Sequence, residues 1–405
     1  MLGAEGRPVE TEQAFRSAQG PPWRAEPFRV FFPLGVLLAW MGVGHWLFYR
    51  IALRSTYSCE LHGIVQMQAF MMSFAVGFLF TALPRRTQSA PPSAFEMLLM
   101  CTALIATTAG ALIERWWLAQ VGYILVVVIL LRFAGRRFLG RAAGRRPPAA
   151  FVLVPIAIAQ GVVGSACVAA ASLGAAGGWA NGFGKLLVEQ GVFLCLVIGI
   201  GSLILPLMGG AVPPPDLGSS PAETRKAVAY AVAGVLIFAS FVLEQAGWTR
   251  GGPLLRAAVL SAALATGAGA WRRPGKPGFH RRLVWLSVWL MPAGLLVSAL
   301  WPDYRVPALH ILFIGGFSLM AFGVATHVSF AHLGLDQLSA GRPPAVVALA
   351  ICFLLALMAR LAADASETYF DHLAWASGAW LLGSAVWLAF LAPYFLRPAA
   401  NDSHE

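Results

Sequence analysis

Residues Leu61–Pro84 read LHGIVQMQAFMMSFAVGFLFTALP. A histidine and two glutamines stand at the mouth of this run, which then turns apolar for long enough to cross a bilayer, since a spanning helix needs about 20 such residues. The stretch decides the fold class, because it is one of many. Of 405 residues, 58% are hydrophobic and only 12% charged, with a mean hydropathy of +0.71. Soluble domains carry about 25% charged residues. The chain therefore reads as an all-α, polytopic membrane protein.

Working outward, twelve spans are predicted at 31–51, 62–83, 94–113, 117–134, 150–173, 185–208, 226–245, 254–271, 282–301, 307–330, 344–363 and 373–395. Pro-, Gly- and Arg-rich breaks separate them, as in RRFLGRAAGRRPP (136–148) and RRPGKPG (272–278). The turn between the third and fourth spans, built around ERWW, and the Ala/Gly-rich span 254–271 are the weakest signals. Three parts are expected: a polar N-terminal segment 1–28, one transmembrane domain 29–397 and a tail 398–405. Residues 1–28 hold no short apolar core with a small-residue cleavage site, so no cleavable leader is expected.

The net charge is +11. It is no nucleic-acid signature, because the arginines lie between apolar runs rather than on a soluble face. The loops after even-numbered spans carry the larger share of Lys and Arg, which predicts a cytoplasmic N-terminus, C-terminus and even loops. Of five cysteines, four lie inside apolar runs, and there is no CxxC, zinc or CxxCH pattern. Any haem would be held non-covalently.

This orientation puts His45, His62, His310 and His372 in the periplasm-facing third. His327 and His332 fall at the inner end of span 10, His280 in an inner loop and His404 in the tail. Ionisable groups in a membrane are candidates for function, although a histidine near a helix end can equally sit wetted and idle in the interface. At 100° per residue, Gln66, Ala69, Ser73, Val76 and Phe80 line up below His62, a strip of mainly small side chains suited to a flat macrocycle or to helix packing. Below His310 come Ile314, Phe317, Ala321 and Val324, with Gly315 and Gly316 admitting a close neighbour. Two histidines at one depth on two helices suit axial ligation of a b-type haem. His45 and His372, with Met67, Met71, Met72 or Cys59, are candidate copper ligands, because soft sulfur suits Cu(I). His327 and His332 are candidates for a metal on the inner side, or for helix caps. Glu189 and Gln190, inside span 6, suit a proton path, a propionate contact or a bridge between helices.

The ends of two spans echo each other: GFLFTALP (Gly77–Pro84) and GIGSLILP (Gly199–Pro206). Span 10 follows with GVATHVSF from Gly323. Each offset covers four spans, which predicts three parallel four-helix units rather than inverted halves.

These stretches resemble the NnrS family of bacterial inner-membrane proteins. Its span 2 resembles W-H-A-H-E-M followed by G-F-L-L-T-A-V-P-x-W-T-G. His62 matches the first His, and Gly77, Phe78, Thr81, Pro84 and Thr87 fit the tail, while Ile64, Val65 and Gln66 replace the second His, the Glu and the Met. A later signature, H-A-x-x-V-G-x-x-x-x-M followed by R-x-S-L-G-H-T-G-R, is similar to the chain at His310, Gly315, Met320, Ser329, His332 and Gly334, with His327 in place of the Arg. The opening PFRVFFPLG also fits. The resemblance implies a haem- and copper-containing protein of the bacterial inner membrane, acting against nitric oxide or nitrosyl species. The layout is distantly similar to the main subunit of haem–copper oxidases, with haem ligands on spans 2 and 10. Span 6 lacks that subunit's His-Pro-Glu and span 7 its His-His pair, so no binuclear reducing centre is expected. Two alternatives stand beside this: a cofactor-free transporter using Glu189, Gln190 and Gln68, and a structural relative that kept the fold and lost its metals.

Overall fold

A computed structural model describes residues 21–139, 146–212 and 214–397. Residues 1–20 and the tail 398–405, with His404, lie outside the described residues. Among those described there are helices and no strands. Eleven helices are long and apolar enough to cross a membrane. They are α1 (Phe28–Arg50), α2 (Cys59–Thr87), α3 (Ala94–Leu112), α4 (Trp116–Leu139), α5 (Ala149–Ser172), α6 (Gly178–Gly209), α7 (Pro221–Gln245), α9 (Phe279–Leu300), α10 (Pro302–His332), α11 (Pro344–Ala363) and α12 (Tyr369–Phe395).

The span expected at 254–271 is the shorter helix α8 (Gly251–Thr266). Its 16 residues rise about 24 Å. It nevertheless runs the length of the bundle. Near its start Arg256 pairs with Glu244 at the end of α7. The turn after it shares a cavity with Met208 and Arg281 at the opposite end. The Ala/Gly tail counted as apolar in the sequence but is not helical, and Gly269 in it takes φ +61, a conformation that breaks a helix cheaply only at glycine.

Helix starts follow ordinary local chemistry. The Ser58 hydroxyl accepts from the Leu61 amide (3.1 Å) at the head of α2, and Ser93 with Glu96 forms a reciprocal capping box at the head of α3. The two helices α3 and α4 are separated by a three-residue turn in which Glu114 is left-handed (φ 57).

Three helices form the centre. α2, α6 and α10 have 78%, 67% and 67% of their apolar windows buried, whereas α7 has 22%. Each of the three carries a π-helical stretch: Ile64–Met71, Leu187–Gly191 and Ile311–Ser318. These start 123 and 124 residues apart. This spacing follows that of the sequence echo, so each expected four-helix unit carries one π-stretch. π-turns add a residue to the turn and often occur at functional sites. Aromatic contacts tie the centre to α12: Phe74 on α2 meets Phe322 on α10 (5.1 Å between ring centres), and Phe322 meets Trp387 (4.9 Å, edge-on). Such pairs stabilise by about 0.5–1.5 kcal/mol beyond their buried area.

Candidate functional site

At one end of the bundle, α1, α2, α6, α10, α11 and α12 surround a cavity of about 350 Å³. His62 and His310 both line it. Both are half-buried, open to the cavity. Their rings lie 6.4 Å apart between centres, with planes only 18° from parallel.

The backbone sets each ring's tautomer. His62 Nδ1 is 2.8 Å from the Gly42 carbonyl, and His310 Nδ1 is 2.8 Å from the Val306 carbonyl. A carbonyl only accepts, so Nδ1 carries the proton and donates. Nε2 is left with its lone pair, the arrangement that carbonyls impose on metal-ligating histidines. Gly42 matters because α1 and α2 touch there: an added Cβ would come within 2.7 Å of Gln66 and 2.8 Å of Val65. His45, one turn further along α1, donates Nδ1 to the same carbonyl (3.0 Å). Its buried Nε2 has no hydrogen-bond partner among the described residues, and its ring lies 6.2 Å from that of His62.

The expected strip below His62 is different in the structure. Gln66, Met67, Phe70 and Met71 line the cavity, whereas Ala69 and Ser73 are buried and the Ser73 hydroxyl bonds to Phe31 on α1 (2.7 Å). The reason is the π-stretch, which widens the turn and keeps positions 62, 66 and 70 on one face. On α10, Ile314 lines the cavity as expected, while Phe317, Ala321 and Val324 continue into an apolar cleft of about 110 Å³ below it. Gly315 and Gly316 do not open space for a ligand. An added Cβ at Gly316 would lie 2.5 Å from Met291 Cγ, and one at Gly315 3.0 Å from Leu290, so both glycines admit α9.

Charged groups face the cavity that the sequence reading missed. Lys185, Arg305 and Arg360 line it. Each also has an acidic partner: Lys185 with Glu60 (3.0 Å), Arg305 with Glu244 (3.0 Å from Nε) and Arg360 with Asp364 (2.5 Å). Arg360 had a signal, since it is a lone charge in the apolar run LLALMARLAA. Glu189 lines the cavity from the π-stretch of α6, against Gly63. Lys185, Glu60 and Arg305 are the charges around it. Its neighbour Gln190 is turned away and buried. Gln68 likewise leaves the cavity and donates to Gln120 on α4 (3.1 Å).

Two near-parallel imidazoles, aromatic walls (Trp46, Phe70, Phe313, Trp380) and three cations among the lining residues suit a flat apolar molecule with an anionic edge. The ring spacing agrees. A ring nitrogen lies about 1.1 Å from its ring centre and a metal–nitrogen bond is about 2.0–2.1 Å, so imidazoles flanking one ion have centres about 6.3 Å apart. Haem with its two propionates meets this description. For copper, no group of three or more His, Cys, Asp or Glu side chains among the described residues could hold an ion. Cys59, Met67 and Met71 do line the cavity. His372 stands apart, with Nδ1 at 3.2 Å from the Thr368 carbonyl and its ring against Trp375.

The histidines of the other end are arranged differently. His280 lies on α9, not in a loop, and is fully buried. Its Nε2 is 3.2 Å from His327 Nδ1. His332 is separate from this pair. Arg85 donates to it (2.8 Å to Nε2), and Glu26 lies 3.5 Å from its Nδ1. Burial pushes the Glu26 carboxyl up, but the hydrogen bond to His332 and the charge of Arg29 outweigh this and hold it below its ordinary 4.5.

A family model described as NnrS protein matches residues 22–399. No curated protein matches the chain.

Proposed function

The chain belongs to the NnrS family, and from that premise we propose that it is a haem-binding protein of the bacterial inner membrane that contributes to nitric-oxide resistance. The observation that carries the haem reading is the pair of near-parallel rings of His62 and His310 across one cavity, with both Nδ1 protons given to backbone carbonyls. The nitric-oxide role rests on family membership. The end holding His332 also holds Arg85, Arg86, Arg272 and Arg273, and the positive-inside rule turns it to the cytoplasm. The His62 cavity then faces the periplasm.

His62 and His310 would hold the iron, and Arg305, Arg360 and Lys185 would meet the propionates. Haem, when bound, supplies a one-electron redox couple tuned by its axial ligands. The protein's share is to orient the imidazoles, to exclude bulk water with Trp46, Phe70 and Trp380, and to balance charge. Glu189 makes no hydrogen bond or ion pair among the described residues, so it is the carboxyl free to take up a proton when negative charge enters the cavity. His45, whose buried Nε2 has no hydrogen-bond partner among the described residues, is the residue to test for a second, softer metal.

The test is a reduced-minus-oxidised visible spectrum of detergent-purified protein with haem quantification. One haem per chain with a sharp low-spin band, lost in His62→Ala and in His310→Ala, is the expected result. No haem from iron-replete cells would end this reading.

One observation favours a second reading. The His cavity shares Met71 with the apolar cleft, and that cleft shares Leu205 with a third cavity at the opposite end. A cofactor-free transporter would use such a line of spaces. Haem-free protein that moves solute in liposomes would support it, and haem-free protein that moves none would leave a structural relative.

A further inference from the structure

The third cavity lies between the end of α6, the turn 267–278 and the start of α9, and measures about 630 Å³. Arg272, Arg273 and Arg281 line it, and no Asp or Glu does among the described residues. Three other arginines at this end do have carboxylate partners: Arg86 with Asp216, Arg137 with Glu96 (3.6 Å) and Arg29 with Glu26 (2.6 Å). Arg281 donates to the Met208 carbonyl (2.7 Å) and Ser339 Oγ (3.0 Å), and its buried Nε has no partner.

Arg272 and Arg273 make no side-chain hydrogen bond or ion pair among the described residues. Their guanidinium groups lie over indoles instead, Arg272 at 4.3 Å from Trp271 and Arg273 at 5.7 Å from Trp285. Trp285 is itself fixed, because its Nε1 donates to the Ala270 carbonyl (2.8 Å). Three like charges around one space repel one another unless an anion joins them. Guanidinium groups match phosphate oxygens in pairs, and tryptophans mark the depth of lipid headgroups.

We propose that this cavity binds a phosphate anion, carried by a phospholipid headgroup at the membrane surface or free in solution. Basic pockets between transmembrane helices hold anionic headgroups in this way. The site does not depend on haem in the opposite cavity.

The experiment is native mass spectrometry and thermal shift on delipidated full-length protein. The probes are phosphatidylglycerol, phosphatidylcholine and inorganic phosphate. Phosphatidylglycerol is expected to bind far more tightly than phosphatidylcholine, and R272Q/R273Q to weaken it about thirtyfold, the value of two near-surface basic contacts. R272K/R273K keeps the charge but loses the paired guanidinium geometry and the stacking on the indoles, so its binding should fall between that of the unaltered chain and the double Gln variant. If inorganic phosphate alone stabilises the protein, and only with the arginines present, the free ion is the source. A double Gln variant that folds and binds phosphatidylglycerol or inorganic phosphate as the unaltered chain does, or an unaltered chain that neither prefers phosphatidylglycerol to phosphatidylcholine nor is stabilised by inorganic phosphate, overturns the proposal.

Discussion

His310 and His332 sit on one helix, α10, at opposite ends of the bundle. Each is half-buried. What differs is the partner of each ring nitrogen. His310, like His62, gives Nδ1 to a carbonyl and keeps Nε2 toward an open cavity. His332 has Arg85 and Glu26 against its ring, and His327 leans on His280. A histidine inside a membrane protein is a ligand candidate only when its second nitrogen is left open, and residue type with depth does not reveal that.

The comparison breaks first, and most visibly, at the haem spectrum. His62→Ala or His310→Ala should abolish the low-spin band, while His332→Ala and His280→Ala should leave it at full height. A band that survives at the first pair and falls at the second would reverse the assignment of the two ends.

Glu244 is the next largest test. It holds Arg256, which is fully buried, and Arg305, which lines the His cavity. Glu244→Ala leaves both charges without their partner, and breaking such a buried pair costs about 3–5 kcal/mol. A large fall in Tm in detergent, together with weaker haem retention, is expected. At the other end, His280→Ala removes a buried hydrogen bond to His327, for about 1–3 kcal/mol, and should lower Tm without touching haem content.

Gly316→Ala sharpens the packing side, since its Cβ would press on Met291. Overpacking of this kind costs about 1–3 kcal/mol. Gly178→Ala, at a position with nothing within 4 Å, should leave Tm unchanged.

The smallest effect belongs to Glu26. Its folded-state pKa is held below the ordinary 4.5, so the fold favours the carboxylate. That contribution is complete above pH 4.5 and is lost as pH falls through the folded value. Glu26→Gln should lower Tm slightly at neutral pH, by about 1 kcal/mol or less, and flatten the acid side of the stability curve. An unchanged acid limb would show that the pairing with His332 and Arg29 contributes nothing.

Much of the architecture was legible in the chain. Apolar runs long enough to span, with Pro, Gly and Arg between them, placed the helices, because hydropathy is a local property and a bilayer imposes one length. His62 and His310 were legible for the same reason: each opens a span, at the same depth. Lys185 and Arg305 were not, since each sits near a loop where a charge is ordinary, and only the fold turns them to a shared cavity. His280 was misplaced because "KPGFHRRL" reads as a basic loop, whereas Phe279 already begins α9.

The sequence by itself determined an all-helical chain of many apolar spans and its family, and it offered His62 and His310 as candidates, all of which depend on composition and spacing along one chain. Tertiary structure decided which faces those helices present. The π-stretch of α2 rotates the residues below His62 away from a 100° register, and backbone carbonyls at Gly42 and Val306 choose the tautomers. Both depend on neighbouring helices and hydrogen bonds that no local pattern encodes.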